Sequence, residues 1–515
     1  MSTAPPAAIE RIGFQRLVAA LASRPLSLGI AVTALLTLLR IPGSVDSDVA
    51  WQLWIAGRIH AGANLYRDII ETNPPLWFWM ALPLERIASL IHVRIEGVLA
   101  AAVGCIVALA LAGTNQLIAH ISSGRRLFLL GYGALALMAV PWVHLGQREQ
   151  LVLIGTLPYA ALIAARREQR AVSPALAMLI GLGAALGFAL KHYFLLVPAL
   201  LELWLIAGTK RNWLLLRPET IAIVTVGVAY ASALFLLEPD FLTTIVPLIR
   251  LAYGVFGAPS IRYMLAPFAV VGLTTVFVVG AHARLLLDRK APFATSLVVA
   301  AVAFTAVYFI QFKGWTYHAI PIVGCASVAL AALLAEVEKP PRLLPTVAPA
   351  LLILPLVLTA DEQRHPALPS PDLRGAVSGL QRGDTVAFLT TETAIPWSVT
   401  LQGGYRYASR YNGFWMMQAI ILNENAHKRD PRLAKLGHRV VSETVRDFSC
   451  TPPKRIIVWR PRPGDDAFDI LPFFQRDPEF SALLVHYRVR SRTSLETYEL
   501  VSPTNAPIGP CRAGV

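Results

Sequence analysis

Two polar segments, GSVDSDVAW at 43–51 and YRDIIETNPPL at 66–76, lie directly after the first apolar run of this chain. Together they contain four carboxylates and one arginine, Arg58 lies between them, and the second segment ends in Pro-Pro-Leu. Charged side chains are costly to hold next to hydrocarbon, so those found there usually bind or react. This stretch therefore indicates a helical membrane protein whose first outer loop, 42–96, carries the candidate active site.

The composition also indicates a protein that crosses the bilayer many times. Of its 515 residues, 55% are hydrophobic and 15% are charged, and the mean hydropathy is +0.55. Ordinary soluble domains do not reach this hydropathy. The net charge of +14 could suggest nucleic-acid binding. However, the arginines stand in short clusters between apolar runs, where they orient the chain in the membrane, so we expect no nucleic-acid partner.

Apolar runs near the length of about 20 residues that spans a bilayer recur along the chain. Eleven such runs lie at 25–41, 97–118, 126–144, 150–165, 174–190, 193–208, 219–238, 263–282, 292–311, 317–336 and 343–360. A further run, 76–91, is short and contains Glu85 and Arg86. The prediction is a polytopic α-helical protein with about 11 spans (11 to 13).

The distribution of positive charge decides how we treat 76–91. If this run does not cross, the loops placed in the cytoplasm hold thirteen Lys and Arg residues, and the outer loops hold five: Arg148, Lys191, Arg250, Arg262 and Lys313. If 76–91 crossed the membrane, the outer loops would hold most of these positive residues, whereas the excess of Lys and Arg normally lies in short cytoplasmic loops. We therefore expect 76–91 to be an interfacial or re-entrant helix in a plasma (inner) membrane protein. The N-terminal segment, 1–24, is then cytoplasmic, and residues 9–21 are either a basic amphipathic helix or a disordered tail.

The chain changes character after Ala360, where a proline-rich polar linker begins. We expect a multi-span domain at 25–360 and an extracytoplasmic α/β or α+β domain at 361–515. Within the second domain, strands are predicted at 383–390, 455–459 and 484–501, and helical or irregular connections at 411–438 and 465–484. Cys450 and Cys511 both fall in it, where an oxidising compartment permits a disulfide. Two such cysteines can equally be free.

The polar loop resembles the first outer loop of the GT-C glycosyltransferases. The resemblance is to the bacterial branch related to protein O-mannosyltransferases and lipid A aminoarabinose transferases, where an Asp-led helix runs to Pro-Pro-Leu. It is carried by Asp48, Ala56, Arg58, Gly62, Tyr66-Arg67-Asp68 and Asn73-Pro74-Pro75-Leu76. A second segment, QFKGWTYHAIP at 311–321, is similar to the Lys-Gly-x-x-Tyr-His loop of that branch. The chain departs from the branch at the first motif, where Asp48-Val49 stands in place of Asp-Glu.

This resemblance implies sugar transfer from a polyprenyl-phosphate donor to an acceptor hydroxyl. Such a transfer needs a base for the hydroxyl proton and cations for the departing phosphate. We predict Asp48 as the base, with Asp46 as its substitute or partner, and inversion at the anomeric carbon if displacement is direct. Asp68 would orient the acceptor or a sugar hydroxyl. The structural alternative is that Asp46-Ser47-Asp48 caps a helix at 49–61.

Cations on the outer side of the predicted membrane are candidates for the donor phosphate. These are Arg58, Arg148, Lys191, His192, Lys313 and His318. Positive residues at outer span ends oppose the orientation bias, which suggests that they bind something. The alternatives are snorkelling side chains or a local pair between Arg148 and Glu149. Four tryptophans of the loop, Trp51, Trp54, Trp77 and Trp79, are typical of an interfacial belt.

The remaining partners are less sharply defined by the sequence. Tyr405, Arg410 and Trp415 lie in a dense aromatic and basic stretch that could receive the acceptor. No Gly-rich nucleotide loop is evident, so the donor is expected to be lipid-linked. No cluster has metal-site spacing, and no metal or other cofactor is predicted, although some GT-C enzymes use a divalent ion.

Four functions can be compared with these features. A hexosyl- or pentosyltransferase acting on a lipid, glycan or protein acceptor is favoured. A non-catalytic flippase for polyprenyl glycolipids, or a polysaccharide ligase, would handle similar lipids. A secondary transporter is disfavoured because the charges lie at span ends rather than in mid-span.

Overall fold

The computed structural model describes residues 24–255, 261–282, 290–364, 371–461, 468–502 and 511. The predicted features at 9–21 lie outside these residues, as do parts of the predicted linker after Ala360 and of the connection at 465–484. The described chain is mostly helical and contains one five-stranded sheet. It divides into two compact units, which are described separately. Unit 1 comprises the described parts of 1–43, 96–230 and 258–364, and unit 2 those of 44–95, 231–257 and 365–515.

Unit 1 is built almost entirely of helices. We label those of its described residues α1 Leu26–Arg40, α4 Ile95–Leu117, α5 Ser123–Met138, α6 Arg148–Arg167, α7 Pro174–Ala189, α8 Leu196–Thr209, α9 Pro218–Leu237 (whose last turns belong to unit 2), α11 Ile261–Met264, α12 Pro267–Ala281, α13 Pro292–Gln311, α14 Ile320–Glu336 and α15 Leu343–Arg364. Short 3-10 turns, His192–Leu195 and Thr316–Ala319, precede α8 and α14. These two turns carry predicted site residues.

Every one of the eleven predicted apolar runs contains a helix. Six of the described helical segments are long and apolar enough to cross a membrane: Ile95–Leu117, His192–Thr209, Pro218–Leu237, Pro292–Gln311, Thr316–Glu336 and Leu343–Gln363. Shorter apolar helices occupy several of the other runs, among them Leu26–Arg40 and Pro174–Ala189. The mostly helical, multi-span character is therefore present, and the number of crossings stays a prediction.

The predicted run at 263–282 is interrupted near its start. A short helix, Ile261–Met264, ends before Pro267, where α12 begins. Ala266 is extended, with φ −57° and ψ 150°. A residue that precedes proline is pushed away from the helical region by the proline ring, so the break follows from the sequence.

Helix α14 forms the centre of unit 1. It is buried along nearly its whole length and packs against α5, α6, α12 and α13. Its sequence, IPIVGCASVALAALLAE, is rich in small residues, which let helix backbones approach closely. The start of this buried helix is therefore a firmly held position for His318 in the preceding turn.

Unit 2 combines loop helices with a mixed sheet. Its described helices are α2 Ser47–His60, α3 Leu76–Leu90, α10 Val246–Ala252, α16 Pro371–Val377, α17 Ala394–Gly403, α18 Met417–Glu424, α19 Pro431–Cys450, α20 Leu471–Phe474 and α21 Pro478–Leu484. Its strands are β1 Thr385–Leu389, β2 Arg406–Tyr407, β3 Arg455–Trp459, β4 Tyr487–Arg492 and β5 Leu495–Leu500. The strand order is β2-β1-β3-β5-β4.

The sheet agrees closely with the predicted strands. β1 pairs in parallel with β2 and β3, whereas β5 pairs antiparallel with β3 and β4. The prediction of a strand at 455–459 is confirmed. The β-rich tail predicted at 484–501 forms two strands, β4 and β5, joined in a hairpin that turns at Thr493-Ser494. β2 is only two residues long and left no visible pattern in the sequence.

The tryptophans of the loop are not all at the protein surface. Trp51 is 2% exposed and stacks on Trp54, with ring centroids 5.0 Å apart. The ring of Trp397, in α17, lies 4.1 Å from that of Trp51. Trp77 is also buried. Trp51 and Trp77 therefore belong to the core of unit 2 rather than to the interfacial belt that we predicted.

Cys450 and Cys511 form a disulfide, with their Cα atoms 5.5 Å apart. This answers the question that the sequence left open. The bond ties the end of α19 to a residue 61 positions further along the chain.

Candidate active site

The predicted site residues fall into two groups, one in each unit. Unit 2 holds Asp46, Asp48, Arg58, Asp68, Tyr405, Arg410 and Trp415, and unit 1 holds Arg148, Lys191, His192, Lys313 and His318.

The two carboxylates at the start of α2 have different surroundings. Asp46 is the N-cap, and its Oδ1 accepts a hydrogen bond of 2.9 Å from the backbone N–H of Val49. Asp48 lies in the first turn of the helix and is half-buried. The capping alternative therefore applies to Asp46, and a carboxylate in the first turn is also favoured by the helix dipole.

The loop after α2 is fixed by its own hydrogen bonds. Tyr66 has a left-handed backbone, with φ 69°, and its hydroxyl donates to the carbonyl of Asn73 at 2.7 Å. Asp68 is buried and its Oδ2 accepts from the backbone N–H and the side-chain amide of Asn64, at 2.9 and 3.0 Å. These bonds hold the Tyr-Arg-Asp motif in one conformation, so Asp68 has a defined structural partner.

Glu71 is a residue of this loop to which the sequence analysis gave no role. It is 1% exposed and accepts hydrogen bonds from the indole N–H of Trp51 and from the backbone and side-chain N–H groups of Asn73, the latter two at 2.6 Å. It thereby ties α2 to the segment that leads into Pro74-Pro75. Its position just before the Asn-Pro-Pro motif was the available signal.

Arg58 is the one predicted phosphate ligand in unit 2. Its guanidinium carbon lies 5.4 Å from the centroid of the Trp54 ring. Desolvation lowers the pKa of Arg58, and the charge of Arg406 lowers it further, while Asp68 and Asp447 act in the opposite direction. Its Nε is buried without a hydrogen-bond partner among the described residues. The partly desolvated guanidinium is suited to an anion.

The three predicted acceptor-side residues are mostly inside unit 2. Arg410 is 3% exposed, and its Nε and Nη2 donate to both carboxylate oxygens of Asp447. Burial opposes this charge, but the hydrogen bonds and the charge of Asp447 outweigh it and raise the pKa of Arg410. Trp415 is buried with its ring 5.6 Å from that of Tyr253, and Tyr405 is half-buried. Arg410 and Trp415 thus have structural roles, and the acceptor role of all three stays a prediction.

A polar cavity of about 440 Å³ opens between three parts of unit 2. Asp68 lines it, and so do two ion pairs, Arg67 with Asp240 and Arg439 with Glu443. The whole lining consists of Gly62, Asn64, Tyr66, Arg67, Asp68, Ile70, Asp240, Thr244, Arg439 and Glu443. Paired carboxylates and guanidiniums can both accept and donate hydrogen bonds, which suits a hydroxyl-rich ligand.

In unit 1, four elements bring polar side chains together at one place. Lys191 Nζ lies 2.5 Å from Glu149 Oε1, 3.3 Å from His318 Nε2 and 3.4 Å from Gln311 Oε1. Glu149 is in the first turn of α6, Gln311 ends α13, and His318 is in the turn before α14. We call Glu149, Lys191, Gln311 and His318 the Lys191 cluster.

Two further cations act on this cluster. Arg148 and Lys313 both lie within electrostatic range of His318. Arg148 is buried, and Lys313 is half-buried, with its pKa lowered by desolvation. His192, in contrast, is exposed and its ring lies 3.9 Å from that of Tyr193. Of the five predicted phosphate ligands of unit 1, Lys191 and His318 are thus in contact, and Arg148 and Lys313 lie within electrostatic range of them.

Glu149 is a residue of the unit 1 site that was not predicted from the sequence. The sequence analysis considered it only as a local partner of Arg148, but it is 1% exposed, forms an ion pair with Lys191 and lies 3.5 Å from His318 Nε2. Nothing in the sequence predicted this pairing, because Glu149 is 42 residues from Lys191.

The backbone conformation of the loop explains why a glycine follows Lys313. Phe312 ends α13 in the left-handed region, and Gly314 has φ 68°. A Cβ at Gly314 would lie 3.1 Å from the carbonyl carbon and oxygen of Tyr263. Glycine is thus required to turn the chain so that Lys313 and His318 are on the same short loop.

No group of three or more His, Cys, Asp and Glu side chains in the described parts of the chain is placed to hold a metal ion.

Comparison with known proteins gives likenesses of structure only. No protein-family model and no curated protein sequence matches the chain. The chain is similar to the archaeal oligosaccharyltransferase AglB from Archaeoglobus fulgidus in complex with an inhibitory peptide and a dolichol-phosphate, at 12% identity over 85% of this chain and 69% of that one, with a TM-score of 0.40. The A. fulgidus oligosaccharyltransferase in complex with Zn and sulfate gives 12% identity, 84% and 67% coverage, and a TM-score of 0.42. The apo form of the same enzyme is similar at 13% identity over 85% of this chain and 69% of that one, with a TM-score of 0.39. The functional assignment of this chain therefore rests on its own residues.

Proposed function

We propose that this protein is a membrane glycosyltransferase of the GT-C type, which moves a sugar from a polyprenyl-phosphate donor to an extracytoplasmic hydroxyl. One observation carries the proposal. The sequence predicts phosphate ligands in separate stretches, and in unit 1 Lys191 lies 3.3 Å from His318 while Arg148 and Lys313 are close enough for their charges to act on the His318 ring. Such convergence is not expected of side chains that only snorkel at separate span ends.

The net positive charge of Lys191, Arg148, Lys313 and Glu149 suits a lipid phosphate. Lys191, Arg148 and Lys313 are three cations, and Glu149 is the carboxylate paired with Lys191. The remaining positive charge would stabilise the negative charge that develops on a departing phosphate. Gln311 and His318 stand at the ends of two helical segments that are long and apolar enough to cross a membrane, a position that suits a lipid-linked phosphate.

Asp48 is the base in this proposal. Asp46 caps α2, and Asp48 lies two residues further on, in the first turn of that helix. The acceptor oxygen would bond to the anomeric carbon as its proton passes to Asp48, and the bond from that carbon to the phosphate oxygen would break. Polyprenyl phosphate leaves with the bonding electrons, and direct displacement inverts the anomeric centre. Asp68, in the wall of the unit 2 cavity, would orient a hydroxyl.

We place the N-terminus in the cytoplasm and the C-terminal residues outside the plasma (inner) membrane. The bias of positive loops supports this orientation. The disulfide between Cys450 and Cys511 also supports it, because such bonds persist in oxidising compartments.

The proposal is tested by mass spectrometry of envelope glycolipids and glycoproteins. A strain without this gene should lose a hexose or pentose from one component, which names both sugar and acceptor. The wild-type gene should restore it, and a gene carrying Asp48→Asn should not. Unchanged glycans in the deletion strain, or full restoration by the variant, would contradict the proposal.

A further inference from the structure

The ammonium of Lys191 is surrounded by acceptors from three other elements. Its Nζ is 2.5 Å from Glu149 Oε1, 3.4 Å from Gln311 Oε1 and 3.3 Å from His318 Nε2. An ammonium carries three N–H donors and no acceptor. Lys191 must therefore be the donor in all three contacts.

This fixes the tautomer of His318. Because Nε2 accepts from Lys191, the proton of the neutral imidazole is on Nδ1. If the proton were on Nε2 instead, the Nε2–H group would point at the Lys191 ammonium, which has no acceptor. Glu149 Oε1 does not reverse the argument, since it is 3.5 Å from Nε2 and already accepts from Lys191 at 2.5 Å.

The Nδ1 atom has no hydrogen-bond partner among the residues that the structure describes. His318 is only 5% exposed, so open solvent does not serve as its partner. A buried donor that lacks an acceptor is unfavourable, and the exceptions often mark places that bind a ligand or a water molecule. Glu149 Oε2, in the same cluster, is likewise buried and unpartnered among these residues.

The charges around the ring indicate which ligand would satisfy Nδ1–H. Arg148 and Lys313 both act on His318. Lys191 also acts on His318, but its charge has Glu149 as a counter-ion. A donor in such surroundings favours an anionic oxygen acceptor.

We propose that Lys191 is a positioning residue, which holds His318 so that its Nδ1–H donates to a phosphate oxygen of the lipid donor. This rests on the proposed function for the identity of the phosphate. It changes the role of Lys191 from phosphate ligand to support. Arg148 and Lys313 supply the positive charge, and His318 supplies a directed hydrogen bond.

Two substitutions of His318 separate its ring nitrogens. The amide nitrogen of asparagine can lie near the position of Nδ1, whereas the longer glutamine places its amide near the position of Nε2. We expect His318→Gln to bind undecaprenyl phosphate in nanodiscs about tenfold more weakly than His318→Asn. The asparagine amide keeps the hydrogen bond from the Nδ1 position to the charged phosphate, and the glutamine amide loses it. Equal binding by the two variants, or tighter binding by His318→Gln, would overturn the proposal.

Nuclear magnetic resonance tests the tautomer directly and needs no substrate. The chain has 11 histidines, and with nitrogen-15-labelled histidine the signals of His318 are those absent from His318→Asn. The wild-type protein should show His318 with its proton on Nδ1. Lys191→Met, which keeps the length of the side chain and removes the donor, should shift it toward the Nε2–H form. A wild-type His318 signal from the Nε2–H form would overturn the assignment of the tautomer.

The two measurements also distinguish this inference from the proposed function. If the wild-type protein does not bind undecaprenyl phosphate, the phosphate role of His318 fails together with the proposed donor. If it binds, but asparagine has no advantage over glutamine, only the role of Nδ1 fails. The resonance experiment decides the role of Lys191 in either case.

Discussion

Residues of the same type have different roles in this chain because their surroundings differ. Asp46 and Asp48 are two positions apart, yet the Oδ1 of Asp46 accepts from Val49 N–H and caps α2, whereas Asp48 lies one step inside the helix. Lys191 and Lys313 are both outer-side lysines. Lys191 has Glu149 as a counter-ion at 2.5 Å, whereas the ammonium of Lys313 is half-desolvated.

The desolvation of Lys313 predicts an unusual pH dependence. Burial lowers its pKa below the ordinary value, so the ammonium loses its proton at a lower pH than an exposed lysine would. Donor binding needs the charged form. We therefore expect the affinity for undecaprenyl phosphate to fall on the alkaline side before the ordinary lysine pKa of about 10.4 is reached.

Lys313→Arg is the matched variant for this prediction, because a guanidinium stays charged throughout that range. The ratio of affinities at neutral and alkaline pH should be closer to one in the variant than in the wild-type protein. The same alkaline fall in both proteins would show that another group is responsible.

At the scale of elements, the turn from α13 to α14 decides where the cations lie. Gly314 must take φ 68°, and a Cβ there would meet the backbone of Tyr263. Gly314→Ala should therefore destabilise the protein by about 1 kcal/mol or more and displace Lys313, which weakens donor binding. Thermal unfolding and binding of undecaprenyl phosphate measure the two effects.

Gly183→Ala, inside α7, is the control. A Cβ at this position has open space around it, and alanine is favoured over glycine in a helix. We expect equal or higher stability and unchanged donor binding from this variant. A Gly314→Ala protein that behaves like Gly183→Ala would mean that the turn does not constrain the site.

The helices could be predicted from the sequence much better than the site. Long apolar runs predict helices on composition alone, and even the break before Pro267 was signalled by the proline. The contact between Glu149, Lys191 and His318 was not signalled, because residues 42 and 127 positions apart meet only through the packing of helices. The cap at Asp46 was foreseen as an alternative since Asp-Ser-Asp before a helix has that local signature.

At the scale of the whole molecule, the proposed orientation can be tested by reporter fusions. Eleven spans with the N-terminus inside place the chain after Ala360 outside and the α6–α7 loop inside. A fusion after Ala360 should be active only as an extracytoplasmic reporter, and one at Arg167 only as a cytoplasmic reporter. Opposite results at both positions would mean that α3 crosses the membrane, and the outer site would have to be reassigned.

The central claim is that Asp48 is the base of a sugar transfer, and the most direct test is the rate of transfer by the purified protein from a polyprenyl-phosphate sugar. Asn keeps the shape of Asp but does not accept the proton, and loss of a general base typically costs roughly 10² to 10⁴ in rate. Asp46→Asn is the matched control, because Asn caps a helix about as well as Asp. We predict normal expression and membrane insertion for both variants, a rate lower by about 10² or more for Asp48→Asn, and a much smaller loss for Asp46→Asn. Transfer by Asp48→Asn at near the wild-type rate would contradict the account.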